Sequence, residues 1–189
     1  MTAREAVLDA AAQVMRDRGL AACTTREIAR AAGYSEATLY KHFNDKQDLF
    51  LAVLRERLPR LSVVSELVGK QTVAANLEHM VGQLLQFYTA SFPIAASIFS
   101  QPKLLAGHRD AMHERGAGPR APVQALITYL EQERTLRRIP STTDVEAVAA
   151  LLAGSVFQRA FFTNFEGTNE DSDAGPWVRR VVAATGVTG

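Results

Sequence analysis

The run TTREIARAAGYSEATLYKHFNDKQDLFLAVL, Thr24 to Leu54, sets two short helices around one sharp turn and a longer helix behind them. Thr24 followed three residues later by Glu27 is a capping box, in which each side chain satisfies the other residue's unpaired backbone donor. It starts a helix that ends at Ala32. Gly33 supplies the positive φ of a tight turn. Ser35 then caps a helix from Glu36 to about His42. Asn44 is placed to cap a further helix, Asp45 to about Leu58, in which Leu49, Phe50, Val53 and Leu54 recur every three to four residues. Pro59 stops or kinks it.

Outward from this core the spacing stays helical. Upstream, Ala3 to Arg18 places Ala6, Val7, Ala10, Ala11 and Val14 on one face and meets a stop at Gly19. Downstream, helices are predicted over Thr72–Phe92, Ile94–Leu105, Pro119–Arg138, Asp144–Phe165 and Pro176–Thr185. Ala106–Gly118 and Glu166–Gly175 read as loops, the second acidic with Glu166, Glu170, Asp171 and Asp173. Strand-length alternation bounded by hairpin turns is missing, so the chain reads as all-α with about nine helices. Charge thins and helices lengthen after the first fifty residues, giving an expected head over 1–50 and a second helical domain over 51–189.

The 189 residues are 47% hydrophobic, enough to bury a substantial core. Twenty-one Lys and Arg against twenty Asp and Glu give net +1, so bulk charge argues for neither nucleic acid nor membrane. Residues 1–50 hold seven basic and seven acidic side chains. Any polyanion must therefore be gripped by a few placed contacts, with a modest salt slope. The single cysteine, Cys23, excludes an internal disulfide and a Cys-built zinc site. It sits where a helix N-terminus lowers a thiol pKa, but a small buried hydrophobe is the simpler role. The most apolar stretch, Val145 to Phe165, is interrupted by Glu146, Gln158 and Arg159, so no membrane partner is expected, and a reducing cytoplasm fits. His108 and His113 are five apart and share no helical face, and G-x-S-x-G, P-loop and Rossmann signatures are missing. No enzymatic role, metal or cofactor is expected.

Two short helices about a glycine have the dimensions of a helix-turn-helix, whose second helix can enter the DNA major groove. The same unit also serves as a plain scaffold for protein interaction. Helical spacing turns Ile28, Ala29, Ala32 and Leu39 inward. Thr25, Arg26, Glu36, Ala37, Thr38, Tyr40, Lys41 and His42 are left for solvent or a ligand. Tyr, Thr and Lys side chains all bond phosphate oxygen, and Lys46 adds a cation one turn into the following helix.

The quoted run resembles the DNA-binding signature of TetR-type transcriptional regulators: Ile-Ala, Ala-Gly, Ser, Thr-Leu-Tyr, His-Phe, Lys and Leu stand at matching intervals. The resemblance implies that Arg26, Glu36, Ala37, Tyr40 and Lys41 approach base edges, and that Thr25, Thr38, Tyr40, His42 and Lys46 grip the backbone of double-stranded operator DNA. Tyr34 departs from the commoner Val. Glu36 puts an acid at the reading face, able to accept from a cytosine amino group or to repel.

The resemblance also implies a ligand-responsive homodimer, usually a repressor. Val145, Val148, Ala149, Leu152 and Val156, with Trp177, Val178, Val181 and Val182 on the last helix, look like the two-helix pair such proteins dock against a partner's pair. Ala149, Ala153 and Gly154 would permit close approach. Met80, Leu84, Phe87, Tyr88, Phe99, Leu126, Tyr129, Leu130, Phe157 and Phe161 are the candidates to surround a small, largely apolar effector, with Gln83, Gln158 and Asn164 as polar partners. Effector binding would shift the spacing of the two heads through the helix ending near Pro59.

Overall fold

A computed structural model describes residues 1–18, 23–59, 61, 63–113, 118–168 and 174–187. Gly19 and the acidic Glu170, Asp171 and Asp173 lie outside them. Among the described residues the chain is all-helical: α1 Ala3–Arg18, α2 Thr25–Ala31, α3 Glu36–Tyr40, α4 Lys46–Glu56, a 3-10 turn Val64–Glu66, α5 Val73–Phe99, α6 Pro102–His113, α7 Ala121–Thr135, α8 Val145–Glu166 and α9 Ala174–Ala184. They form two compact units. One joins Met1–Leu58 to Ala90–Gly116, and the other joins Pro59–Thr89 to Ala117–Gly189.

In the first unit Val7, Leu8, Ala11 and Met15 of α1 pack with Ile28, Leu39, Leu49, Phe50 and Val53, and with Ile94 and Ile98 from the end of α5. Cys23 is fully buried in this core. At the rim Arg4 grips Glu56 through two parallel bonds of 2.8 and 2.9 Å, tying α1 to α4. Arg57 adds a second tie to Asp9 (2.6 Å) and Glu5. The hydrogen bonds from Arg4 and then Arg55 pull the Glu56 carboxyl down to about 2. A depressed acid stabilises the fold above its unfolded value, near 4.3, and the benefit fades as pH falls toward 2. Glu56→Gln is therefore expected to cost about 1 kcal/mol at pH 7, allowing for screening at this partly exposed site. Denaturant titrations of the two proteins should converge near pH 2. A difference constant with pH would refute the assignment.

The second unit buries Leu77, Val81, Leu84 and Leu85 of α5 against Leu126, Tyr129 and Leu130 of α7, Ala149, Leu152 and Val156 of α8, and Val178 and Val182 of α9. Within it sits a fully buried carboxylate, Glu133. Its Oε1 accepts from Gly69 N (3.0 Å), and Arg138 Nη1 lies 3.0 Å from Oε2. Arg138 also donates to the carbonyls of Lys70 and Gln71, and Asn76 donates to those of Leu67 and Lys70 at 3.0 and 2.8 Å. The loop before α5 is thus held to α7 by polar bonds.

Four expectations change. Asp45, not Asn44, is the cap of α4: its carboxylate accepts from Asp48 N at 2.7 Å, while Asp48 takes the Asn44 N–H at 3.0 Å. The helix is also shorter, ending at Glu56. The break expected at Pro93 does not occur, and α5 runs through it. Proline removes the donor that would serve the carbonyl four residues back, Thr89. That oxygen instead accepts from the Asn164 side chain at 3.2 Å, so the freed group is satisfied by α8. Last, Ala106–Gly118 is largely helix, because α6 reaches His113. Pro102 opens α6 where its missing donor costs nothing. The bare backbone at Gly107 admits Gln47 of α4, whose amide occupies the place of a Cβ. Tertiary packing there outweighs glycine's poor helix propensity.

Candidate nucleic-acid interface

Local chemistry holds α3 rigidly. At the N-terminus of α2, Thr24 and Glu27 form both halves of the capping box. At its C-terminus Gly33 takes φ +79°, and Tyr34 N and Gly33 N bond to Ala29 O and Arg30 O at 2.9 and 3.1 Å. This is the paired closure that a left-handed residue permits. Ser35 Oγ then accepts from Thr38 N at 3.2 Å and caps α3, while Leu39 plugs α3 into the core. Ile28 and Ala29 are buried as expected, and Ala32 is half-buried.

The opposite side carries the candidate contacts. Arg26, Ala37, Tyr40, Lys41 and His42 are exposed, and Glu36, Thr38 and Lys46 are half-buried. Lys46 Nζ stands 5.2 Å from the Phe50 ring centroid, a cation–π contact that steadies its base. Thr25 is a correction. It is only 8% exposed, because its hydroxyl bonds to Glu36 Oε1 at 2.6 Å and lies 3.3 Å from the Tyr40 hydroxyl. Thr25 therefore supports the surface from beneath. Tyr34, with 39% exposure, is a surface aromatic rather than a space-filler.

The proposed dimer residues divide. Val145, Val148, Ala149, Leu152, Val156, Val178 and Val182 are buried in their own unit, as is Ala153, so none offers a surface to a partner. Their valine-rich face is the one that meets α7 and α9. Trp177 and Val181 are half-buried, and Arg159 lies 4.8 Å over the Trp177 ring. The exposed side of α8 is apolar too: Ala147, Leu151, Gly154, Phe157, Phe161, Phe162 and Phe165 recur at helical spacing. Spacing alone could not separate two apolar faces of one helix.

The effector candidates divide as well. Met80, Leu84 and Leu126 meet Leu61, Gln83, Pro122 and Ala125 around a void of about 20 Å³, room for one water. Tyr129 and Leu130 are core, and burial pushes the Tyr129 hydroxyl up to about 12. Tyr88 packs edge-on against Phe157 at 5.5 Å and near Phe87 at 5.7 Å. Phe161 is 39% exposed and stacks on Phe165. Phe99 belongs to the other unit and is 68% exposed. Asn164 spends its amide on the Thr89 and Ala160 carbonyls. A larger cleft of about 340 Å³ lies elsewhere, between α5 and α9, over Leu85 and Val178 with Glu78, Gln86 and Arg179 around it. Gly82 and Gly175 form part of its wall. Sequence reading by large apolar side chains missed it, because only Leu85 and Val178 in its lining are large and apolar, and the rest are charged, polar or small.

Residues 7–53 match the family of bacterial regulatory proteins, tetR family. The HTH-type transcriptional regulator YvkB of Bacillus subtilis is 31% identical over 126 residues, 66% of this chain and 64% of YvkB. The HTH-type transcriptional repressor AcnR of Corynebacterium glutamicum is 38% identical over 64 residues, 33% of this chain and 34% of AcnR. The chain thus spans less than two thirds of the length of these relatives. A TetR-family regulator structure from Mesorhizobium loti superposes with a TM-score of 0.74 at 20% identity, covering 97% of this chain and 94% of that one, which speaks to the fold alone. The matched residues and the named relatives agree on one family, and the head of this chain, residues 7–53, belongs to it: it is a TetR-type head.

Proposed function

We propose that the chain is a ligand-responsive transcriptional regulator, a repressor in its default action, which binds palindromic operator DNA as a homodimer and is released by a small, largely apolar effector. The observation that carries this reading is the exposed surface formed by α3 and the turn after it, where Ala37, Tyr40, Lys41 and His42 stand clear of a core that holds the helix by caps at both turns. A scaffold that met only its own chain would have no use for an exposed tyrosine, lysine and histidine in succession. Two heads are required because an inverted repeat is read by a twofold. The apolar outer face of α8 supports a second copy as the partner, with Gly154 allowing close approach. It functions without enzymatic turnover and without a membrane.

For the effector, the α5–α9 cleft has the volume of a small-ligand site, whereas the Met80–Leu84–Leu126 void must open before anything larger than water enters. Release follows when the effector binds better to a dimer whose heads no longer match the ~34 Å groove repeat. About 1–3 kcal/mol of coupling is typical.

Selection of bound sites from random duplexes tests the reading. An inverted repeat is the expected product, and recovery of no sequence would end the proposal. With the site in hand, Lys46→Ala is expected to weaken every duplex alike and lower the salt slope by about one, whereas Lys41→Ala relaxes base preference. The head's balanced charge predicts a shallow slope overall, and a slope as steep as that of a polybasic surface would contradict it.

A further inference from the structure

An acid on a surface that faces phosphates repels them unless it is spoken for, and Glu36 is partly spoken for. Its Oε1 receives the Thr25 hydroxyl proton at 2.6 Å, a length typical of a bond to an ionised acceptor. Thr25 has one hydroxyl proton to give. At the 3.3 Å contact between the Thr25 and Tyr40 hydroxyls the donor is therefore Tyr40. The relay runs from Tyr40 through Thr25 to Glu36, with its middle member shielded from water. It orients the carboxylate and leaves the second oxygen, Oε2, to be accounted for. Arg26 Nε stands 3.6 Å from Oε2, too far for a hydrogen bond but near enough for an ion pair. The Arg26 side chain is 87% exposed. A fork of donors thus stands beside one oriented acceptor.

That order has a complement in the major groove. Across its edge a G·C pair presents two acceptors, guanine N7 and O6, and then a donor, the cytosine amino group. An A·T pair presents acceptor, donor, acceptor, which breaks the arginine fork and sets thymine O4 against the carboxylate. We infer that Arg26 and Glu36 together read one G·C pair in each half-site, Arg26 on the guanine and Glu36 accepting from the cytosine amino group. This rests on the duplex-reading function proposed above and adds the base that the pair selects.

The test repeats the random-duplex selection with the full chain and its Glu36→Gln and Arg26→Ala variants. Wild type is expected to return a repeat with one G·C position per half-site that Glu36→Gln alters. Gln keeps an acceptor for the cytosine amino group and gains a donor for thymine O4, so the ratio of G·C to A·T there should fall roughly tenfold with other positions unchanged. Arg26→Ala, at an exposed site that leaves folding intact, should lose the guanine at the same position. If Glu36→Gln tightens all duplexes alike and keeps the wild-type preference, Glu36 only repels and the inference is overturned. If wild type returns no sequence, duplex reading itself has failed, which is a separate result.

Discussion

In the homodimer proposed above, Leu151→Glu combined with Phe162→Glu is expected to separate the two chains and to lower affinity for a two-half-site duplex by about 10²- to 10⁴-fold, the gain that linked binding of two heads confers. Both side chains are exposed in the isolated chain, 66% and 47%, so the charges disturb no internal packing. Surface changes of this kind usually shift stability by less than about 0.5 kcal/mol. The substitutions act only where a second copy would bury them, since an unpaired carboxylate in an apolar contact is strongly disfavoured. Leu152→Glu is the control. Leu152 is fully buried, so the same charge one residue along should unfold the protomer rather than separate two. Sedimentation with circular dichroism distinguishes the outcomes, and a folded double variant that remains dimeric at micromolar concentration would move the interface off α8.

Arg138→Met is expected to lower the unfolding free energy by about 3–5 kcal/mol, the usual consequence of stranding one member of a buried ion pair. Glu133 has no exposure to solvent, and Arg138 is the cation that faces it at 3.0 Å. The same guanidinium holds the Lys70 and Gln71 carbonyls, so the loop before α5 loses its tie to α7 at the same stroke. The double variant Arg138→Met, Glu133→Leu should recover much of the loss, because an apolar pair of similar volume carries no buried charge. Equal stability of wild type and Arg138→Met in denaturant would show that the pair contributes nothing. The head should keep its melting behaviour if the two units unfold independently, which a two-phase transition would reveal.

How much of this was legible beforehand depended on whether the physics was local. The capping box at Thr24 and Glu27, the turn at Gly33 and the Ser35 cap are interactions over three to five residues, and they are written into the chain as spelled. So are the burial of Ile28 and Leu39 and the exposure of Tyr40, which follow from helical period, whereas α3 ends at Tyr40 and Lys41 and His42 are exposed in the turn beyond it. Asp45 taking the cap from Asn44 is a one-residue error, natural where two good caps adjoin.

Long-range partners decided the rest. Capping and amphipathic period act within a few residues, so residue order already carries an all-helical chain, a helix-turn-helix head and the outward side of that head. Long-range packing put Thr25 beneath that side, bonded to a glutamate eleven residues on. It also decided that α5 survives Pro93 because Asn164 answers the Thr89 carbonyl, and which of two apolar faces of α8 is core and which is open. Each of these turns on a neighbour brought close by folding, and no periodicity within one segment encodes what will be packed against it.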